Sequence, residues 1–109
     1  MGKIDELREI LKDSDNIVFF GGAGVSTESN IPDFRSASGL YNTKSGVGKT
    51  PEYMLSHTCL VRDTEDFYNY YRENILHPEA KPNRAHEALA KLEEMGKLKA
   101  VITQNIDGL

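Results

Sequence analysis

Ile4, Leu7, Ile10 and Leu11 recur at helical spacing with charged residues between them, which predicts an amphipathic opening helix. The pattern then changes. Asn16-Ile17-Val18-Phe19-Phe20 is a short apolar run of strand-favouring residues ending at Gly21-Gly22, and it predicts a fully buried strand. Helix, buried strand and glycine turn, in that order, form the entry to an α/β sheet of the nucleotide-binding kind. Residues 36–50 carry Ser, Gly, Thr and Lys with little periodicity and read as a flexible loop. Thr50-Pro51-Glu52 predicts a helix start, with Thr50 as cap and Pro51 in the first turn. Asp63-Thr64-Glu65-Asp66 predicts a second start, feeding Phe67, Tyr70, Tyr71 and Ile75, with Pro78 and Pro82 punctuating the connection beyond. Asn83 is expected to cap a third helix that carries Ala85, Leu89, Leu92 and Met95 on one face and closes at Gly96. Ala100-Val101-Ile102-Thr103 is then a second buried strand, and two such strands joined through helices predict a right-handed parallel crossover.

Composition narrows the class. The 109 residues suffice for one small domain. With 39% hydrophobic and 28% charged residues the chain reads as globular. Seventeen acidic against 13 basic residues give a net charge of −4, which offers no general attraction to nucleic acid phosphates or to anionic membranes, so neither partner is expected. Cys59 is the sole cysteine, which excludes a disulfide framework and a tetrahedral cysteine zinc site within the chain and points to a reducing, cytoplasmic setting. The first residues lack an apolar signal core, and no run approaches a membrane span. Met1-Gly2 opens a myristoylation pattern that Glu6 breaks, since Ser or Thr belongs there.

Three segments carry candidate chemistry. Gly22-Ala23-Gly24 directly follows the first strand, where glycines let the backbone approach a pyrophosphate and N–H groups of the next helical turn supply donors. A dehydrogenase-type fingerprint is disfavoured: Thr27 stands at its third glycine position, and no second strand is placed to present a ribose-binding acid. Ile31-Pro32-Asp33-Phe34-Arg35 joins a rigid proline to a carboxylate, an aromatic wall and a guanidinium, a composition suited to enclosing a polar aromatic ring. The plainer alternative is that Phe34 anchors a loop and Asp33 pairs with Arg35. Thr103-Gln104-Asn105-Ile106-Asp107 lies at the carboxyl end of the second strand, the edge where open α/β sheets bind ligands. Gln104, Asn105 and Asp107 suit ribose hydroxyls and a carboxamide, although an Asp-Gly turn would also account for a polar corner here.

Taken together, Gly22-Ala23-Gly24-Val25-Ser26, Ile31-Pro32-Asp33-Phe34-Arg35 and Thr103-Gln104-Asn105-Ile106-Asp107 resemble the cofactor signatures of the sirtuin (Sir2-type) NAD-dependent protein deacylases. The likeness extends across nearly the whole chain, including Pro82-Asn83-Arg84-Ala85-His86. It implies the N-terminal part of a Rossmann-like NAD-binding domain, a three-layer α/β fold with a parallel sheet that residues 1–109 hold incompletely. NAD is the implied cofactor and acetylated-lysine proteins the implied substrates, with the acetyl group passing from lysine to ADP-ribose and nicotinamide leaving. Residue by residue, Gly22, Ala23, Gly24 and Ser26 match the phosphate-binding turn. Asp33, Phe34 and Arg35 match the loop over the nicotinamide side, with Phe34 shielding the reactive ribose face. Gln104 and Asn105 match ribose-contacting residues, Asn105 also ordering the catalytic site, and Ile106 and Asp107 match the carboxamide pocket.

Departures from the family pattern shape further expectations. Asn30 stands where the family usually has glycine, and Asn tolerates a left-handed backbone. Relatives that remove succinyl or malonyl groups carry a Tyr and, three residues on, an Arg. Here Tyr68 and Tyr71 occupy those places and Arg72 falls one position late, so acetyl-lysine is the expected substrate. The family's general base, a histidine in a His-Gly pair, and its zinc-binding cysteines fall beyond residue 109. The resemblance therefore implies zinc in the longer family members but no zinc module here, and no turnover by the 109 residues alone. His57, His77 and His86 are read as structural, capping or solvated, and Cys59 as a small buried hydrophobe. A different class of function stays open: a non-catalytic NAD-binding or assembly half-domain whose uncovered sheet edges and apolar helix faces self-associate or recruit a partner chain.

Overall fold

A computed structural model describes residues 2–35, 39–42 and 49–109; most of the expected 36–50 loop lies outside the described residues. Helix α1 spans Lys3–Asp13, with Asp5 and Glu6 in its first turn favouring the positive end of the helix dipole. Ile4, Leu7 and Ile10 form the expected stripe, yet none is buried. Strands β1 (Ile17–Gly21) and β2 (Leu98–Thr103) pair in parallel, with Val18 opposite Ala100, Phe20 opposite Ile102 and Gly21 opposite Thr103. The second strand begins two residues before the expected Ala100, because Leu98, which is buried, already pairs with Ile17.

Full burial of the strands is not what the structure shows. Side chains alternate across a strand, and one face carries Val18, Phe20 and Ile102, all more than half exposed. The opposite face carries Phe19 and Val101 and receives helix α5 (Arg84–Glu94), whose His86 and Leu89 are half-buried. Of the expected α5 face, Leu89 and Leu92 turn inward while Ala85 and Met95 stay exposed. Gly96 ends the helix at φ +76°, a left-handed conformation that glycine adopts without steric cost.

The hydrophobic core lies apart from the sheet. Helices α2 (Pro51–Met54), α3 (His57–Arg62) and α4 (Thr64–Asn74) gather Met54, Cys59 and Tyr70 around Leu40, with Phe34, Phe67 and Ile75 packed against them. Leu40 belongs to a short 3₁₀ turn, Leu40–Asn42, so part of the supposed loop is a core element. Thr50 caps α2 as expected, accepting from the Tyr53 amide at 3.2 Å. Ser56 caps α3, a helix that the apolar pattern alone did not reveal, by accepting from the Cys59 amide at 3.1 Å. Asp63 opens α4 without capping it. Its carboxylate instead accepts from the Tyr53 hydroxyl at 2.5 Å and pairs with Lys49 at 3.1 Å, which holds its pKa below the ordinary aspartate value and raises those of Tyr53 and Lys49. Cys59 is fully buried, and burial pushes its thiol pKa up, as befits a packing residue. None of the described helices is long and apolar enough to cross a membrane.

Candidate active site

The site forms at the shared carboxyl edge of β1 and β2. Gly21 ends β1 buried, and a Cβ there would sit 2.7 Å from the Phe19 ring and 3.1 Å from Val25, so the turn begins where a side chain has no room. Residues Ala23–Ser29 then coil as a 3₁₀ helix rather than an α-helix. Asn30 closes it at φ 66°, ψ 27°, the left-handed conformation its glycine-like position calls for. Gly24 is exposed, and the space a Cβ would occupy there is open.

The terminal polar run folds back on this turn. The Asn105 side-chain amide donates to the Gly22 carbonyl at 2.9 Å and lies 3.4 Å from the Ser26 hydroxyl. Ser26, only 1% exposed, donates to an Asp107 carboxylate oxygen at 2.5 Å across 81 positions of sequence. The other Asp107 oxygen accepts from the Leu109 amide at 3.0 Å. Gln104 continues the ladder through its backbone, donating to the Gly21 carbonyl at 3.2 Å, and leaves its side chain exposed.

The Pro-Asp-Phe-Arg loop is pinned by a residue the sequence reading passed over. Gly39 is buried, and a Cβ on it would lie 2.6 Å from the Asp33 carboxylate and 2.8 Å from the Phe34 backbone. That close approach lets the Leu40 amide donate to the Asp33 carbonyl at 2.6 Å and the Tyr41 amide donate to the Phe34 carbonyl at 2.7 Å. The Phe34 ring then meets Tyr41 at a centroid distance of 5.2 Å, and the Arg35 guanidinium lies 5.5 Å from the same Tyr41 ring.

A cleft of about 290 Å³ joins these parts. Ala23, Ser26 and Phe34 line one side, and Gln104, Asn105, Ile106 and Asp107 line another. Gly22, Gly24, Asp33 and Arg35, named with them from the sequence, do not line it; Gly22 adjoins it through its bond to Asn105. The end of α4 supplies the remaining wall with Tyr71, Asn74 and Ile75, followed by His77. His77 is half-buried, with Nε2 3.1 Å from the Asn74 carbonyl. No local pattern in the sequence joins this wall to the glycine turn; the packing of Phe34 and Ile75 against the helical core does so in three dimensions.

Comparison with known proteins decides the family. A family model described as the Sir2 family matches residues 22–109. The chain belongs to the Sir2 family. A protein of Clostridium perfringens (strain 13 / Type A) named NAD-dependent protein deacetylase is 64% identical over 107 residues, covering 98% of this chain and 44% of that protein. This sirtuin chain thus spans less than half the length of the curated relatives it matches. A solved structure of a Sir2 enzyme superposes with a TM-score of 0.82 at 43% identity, covering 96% of this chain and 40% of that one. A Sir2 complex with a p53 peptide and NAD+ superposes at 0.75, also at 43% identity, covering 99% of this chain and 40% of that one. The parallel strands, glycine turn and crossover helix are accordingly those of a Rossmann-like sirtuin domain.

Proposed function

We propose that this chain carries the phosphate turn and nicotinamide pocket of an NAD-dependent protein deacetylase acting on acetyl-lysine. The observation that carries the reading is the convergence of Ser26, Phe34, Asn105 and Asp107, from three separate segments, on one cleft. The cleft fits such a cofactor chemically. Ile31, Pro32, Phe34 and Ile106 give flat apolar walls for a nicotinamide ring, while Gln104, Asn105 and Asp107 give hydrogen-bonding groups for its carboxamide and ribose. When bound, NAD would supply the electrophilic ribose carbon, from which nicotinamide leaves as the acetyl oxygen attacks, and the ribose hydroxyl on which the acetyl group ends. The chain's own part is binding and orientation. Gly22, Ala23 and Gly24 present backbone to the phosphates. Ser26 fixes the direction of the Asp107 carboxylate, which would hold the carboxamide. Asn105 braces the turn and would hold the ribose. Phe34 walls off water, and Asp33 and Arg35 hold the loop around it.

Small neutral acyl groups suit this site. Arg72, one position past the place where acidic-acyl relatives carry an arginine, is exposed with its guanidinium on Asn69 at 3.1 Å. Tyr71 instead closes that wall.

The full-length protein mixed with NAD and an acetyl-lysine peptide is expected to release nicotinamide and free lysine peptide in equal amounts, with the acetyl group recovered on ADP-ribose. Asp107→Ala should lower kcat/KM by roughly 10- to 150-fold, the range set by one lost charge-assisted hydrogen bond. Acetate release that needs no NAD would overturn the proposal.

A further inference from the structure

Outside the residues assigned above, one side chain bridges the cofactor turn to the rest of the fold. Asn83 stands at the start of α5 and is half-buried. Its Oδ1 accepts from the Ala85 amide at 2.8 Å, and its own N–H donates to His86 Nδ1 at 3.0 Å, a reciprocal cap. Its Nδ2 points the other way, donating to the Val25 carbonyl at 2.8 Å and to the Ser29 hydroxyl at 3.1 Å. Both protons of the side-chain amide are therefore used. Chemistry fixes its orientation, since exchanging O and N would set oxygen against the Val25 carbonyl and nitrogen against the Ala85 amide.

Val25 and Ser29 bracket Ser26 on the 3₁₀ turn, whose Ser26 hydroxyl bonds Asp107 and whose preceding Gly22 carbonyl accepts from Asn105. We infer that Asn83 is a positioning residue: its carboxamide sets where the Ala23–Ser29 turn, and Ser26 on it, stands relative to the sheet edge. Capping alone does not explain an asparagine here. Ser and Asp cap helices about equally well, but an aspartate has no donor and a serine has a single O–H, whereas this amide accepts from the helix and donates two bonds, one to the Val25 carbonyl and one to the Ser29 hydroxyl. The consequence for cofactor binding rests on the function proposed above; the tie itself does not.

The test uses the full-length protein with Asn83→Asp, which keeps the cap and lacks the donors. Asn83→Ser, also a capping residue and uncharged, covers the case in which the added carboxylate disturbs folding. Amide hydrogen exchange without cofactor comes first. The Asn30 and Ile31 amides, which bond to Thr27 and Ser26 carbonyls of the turn, should exchange at least about fivefold faster, while the Glu87 amide in α5 keeps its rate. Calorimetric titration with NAD should then show affinity weakened about five- to thirtyfold, the loss of one to two hydrogen bonds. Unchanged exchange in both variants overturns the inference. Faster exchange in a protein whose wild type fails to bind NAD upholds the tie and overturns the proposed function instead.

Discussion

Tyr70 is 4% exposed, and its hydroxyl has no hydrogen-bond partner among the described residues. Burial also raises its pKa, so the phenol is held neutral. A buried hydroxyl without a partner costs about 1–3 kcal/mol, whereas the ring itself fills the core beside Met54 and Cys59. Tyr70→Phe keeps the ring and removes the cost. It should raise the stability of the full-length protein by about 1 kcal/mol in denaturant unfolding; a loss of similar size would show that the hydroxyl has a partner in solution. Tyr53, on the neighbouring helix, is the contrasting case: its hydroxyl is satisfied by Asp63, and the same substitution there removes a bond that is made.

At the scale of elements, α1 is held more by polar contacts at its end than by its apolar stripe. The Lys97 ammonium, at the entry to β2, donates to the carbonyls of Leu11 at 3.2 Å, Lys12 at 2.9 Å and Ser14 at 2.9 Å. These carbonyls lie at the helix C-terminus, where intrahelical partners run out and only that of Leu11 also accepts from the Ser14 amide, and a cation there meets the negative end of the dipole. Lys97→Met keeps the stem and should cost about 1–3 kcal/mol, with hydrogen exchange rising first in α1. Asp15, 3.7 Å from the same ammonium and 93% exposed, should be almost silent as Asp15→Asn. Sequence pattern revealed the elements whose signals are local: the stripe of α1, the apolar run of β1, the Asn83 cap and the Gly96 stop. It left α3 hidden, because six residues with Cys59 buried give too short a period to read. It overestimated strand burial because an apolar run is the same whether one face or both are covered. Each of the three segments singled out in the sequence sends residues to the cleft, namely Ala23 and Ser26, Phe34, and Gln104 to Asp107, while Gly22, Gly24, Asp33 and Arg35 do not line it. The wall from Tyr71 to His77 was not legible, since only tertiary packing brings the end of α4 to the sheet edge.

Across the whole chain the shape departs from that of a compact domain. The radius of gyration is 17.6 Å, against about 13 Å expected for a compact chain of this length. The helical core and the two-stranded sheet lie along a long axis of 52 Å, and the exposed Val18, Phe20 and Ile102 make an apolar sheet face. Apolar sheet faces and open edges drive association. The 109 residues in isolation should therefore show a mass that rises with concentration in sedimentation experiments, and a strict monomer at high concentration would contradict this.

The bond from Ser26 to Asp107 has a temporal meaning as well. During synthesis the glycine turn emerges early, and its hydrogen-bond acceptor is made 81 residues later. Contacts between such distant positions must overcome the entropy of closing a long loop before they contribute anything. The residues of the helical core, from Phe34 to Ile75, are all in place in the chain well before Asp107 is made. The cleft can therefore close only once Asn105 and Asp107 have joined the chain, after every residue of the helical core has been made.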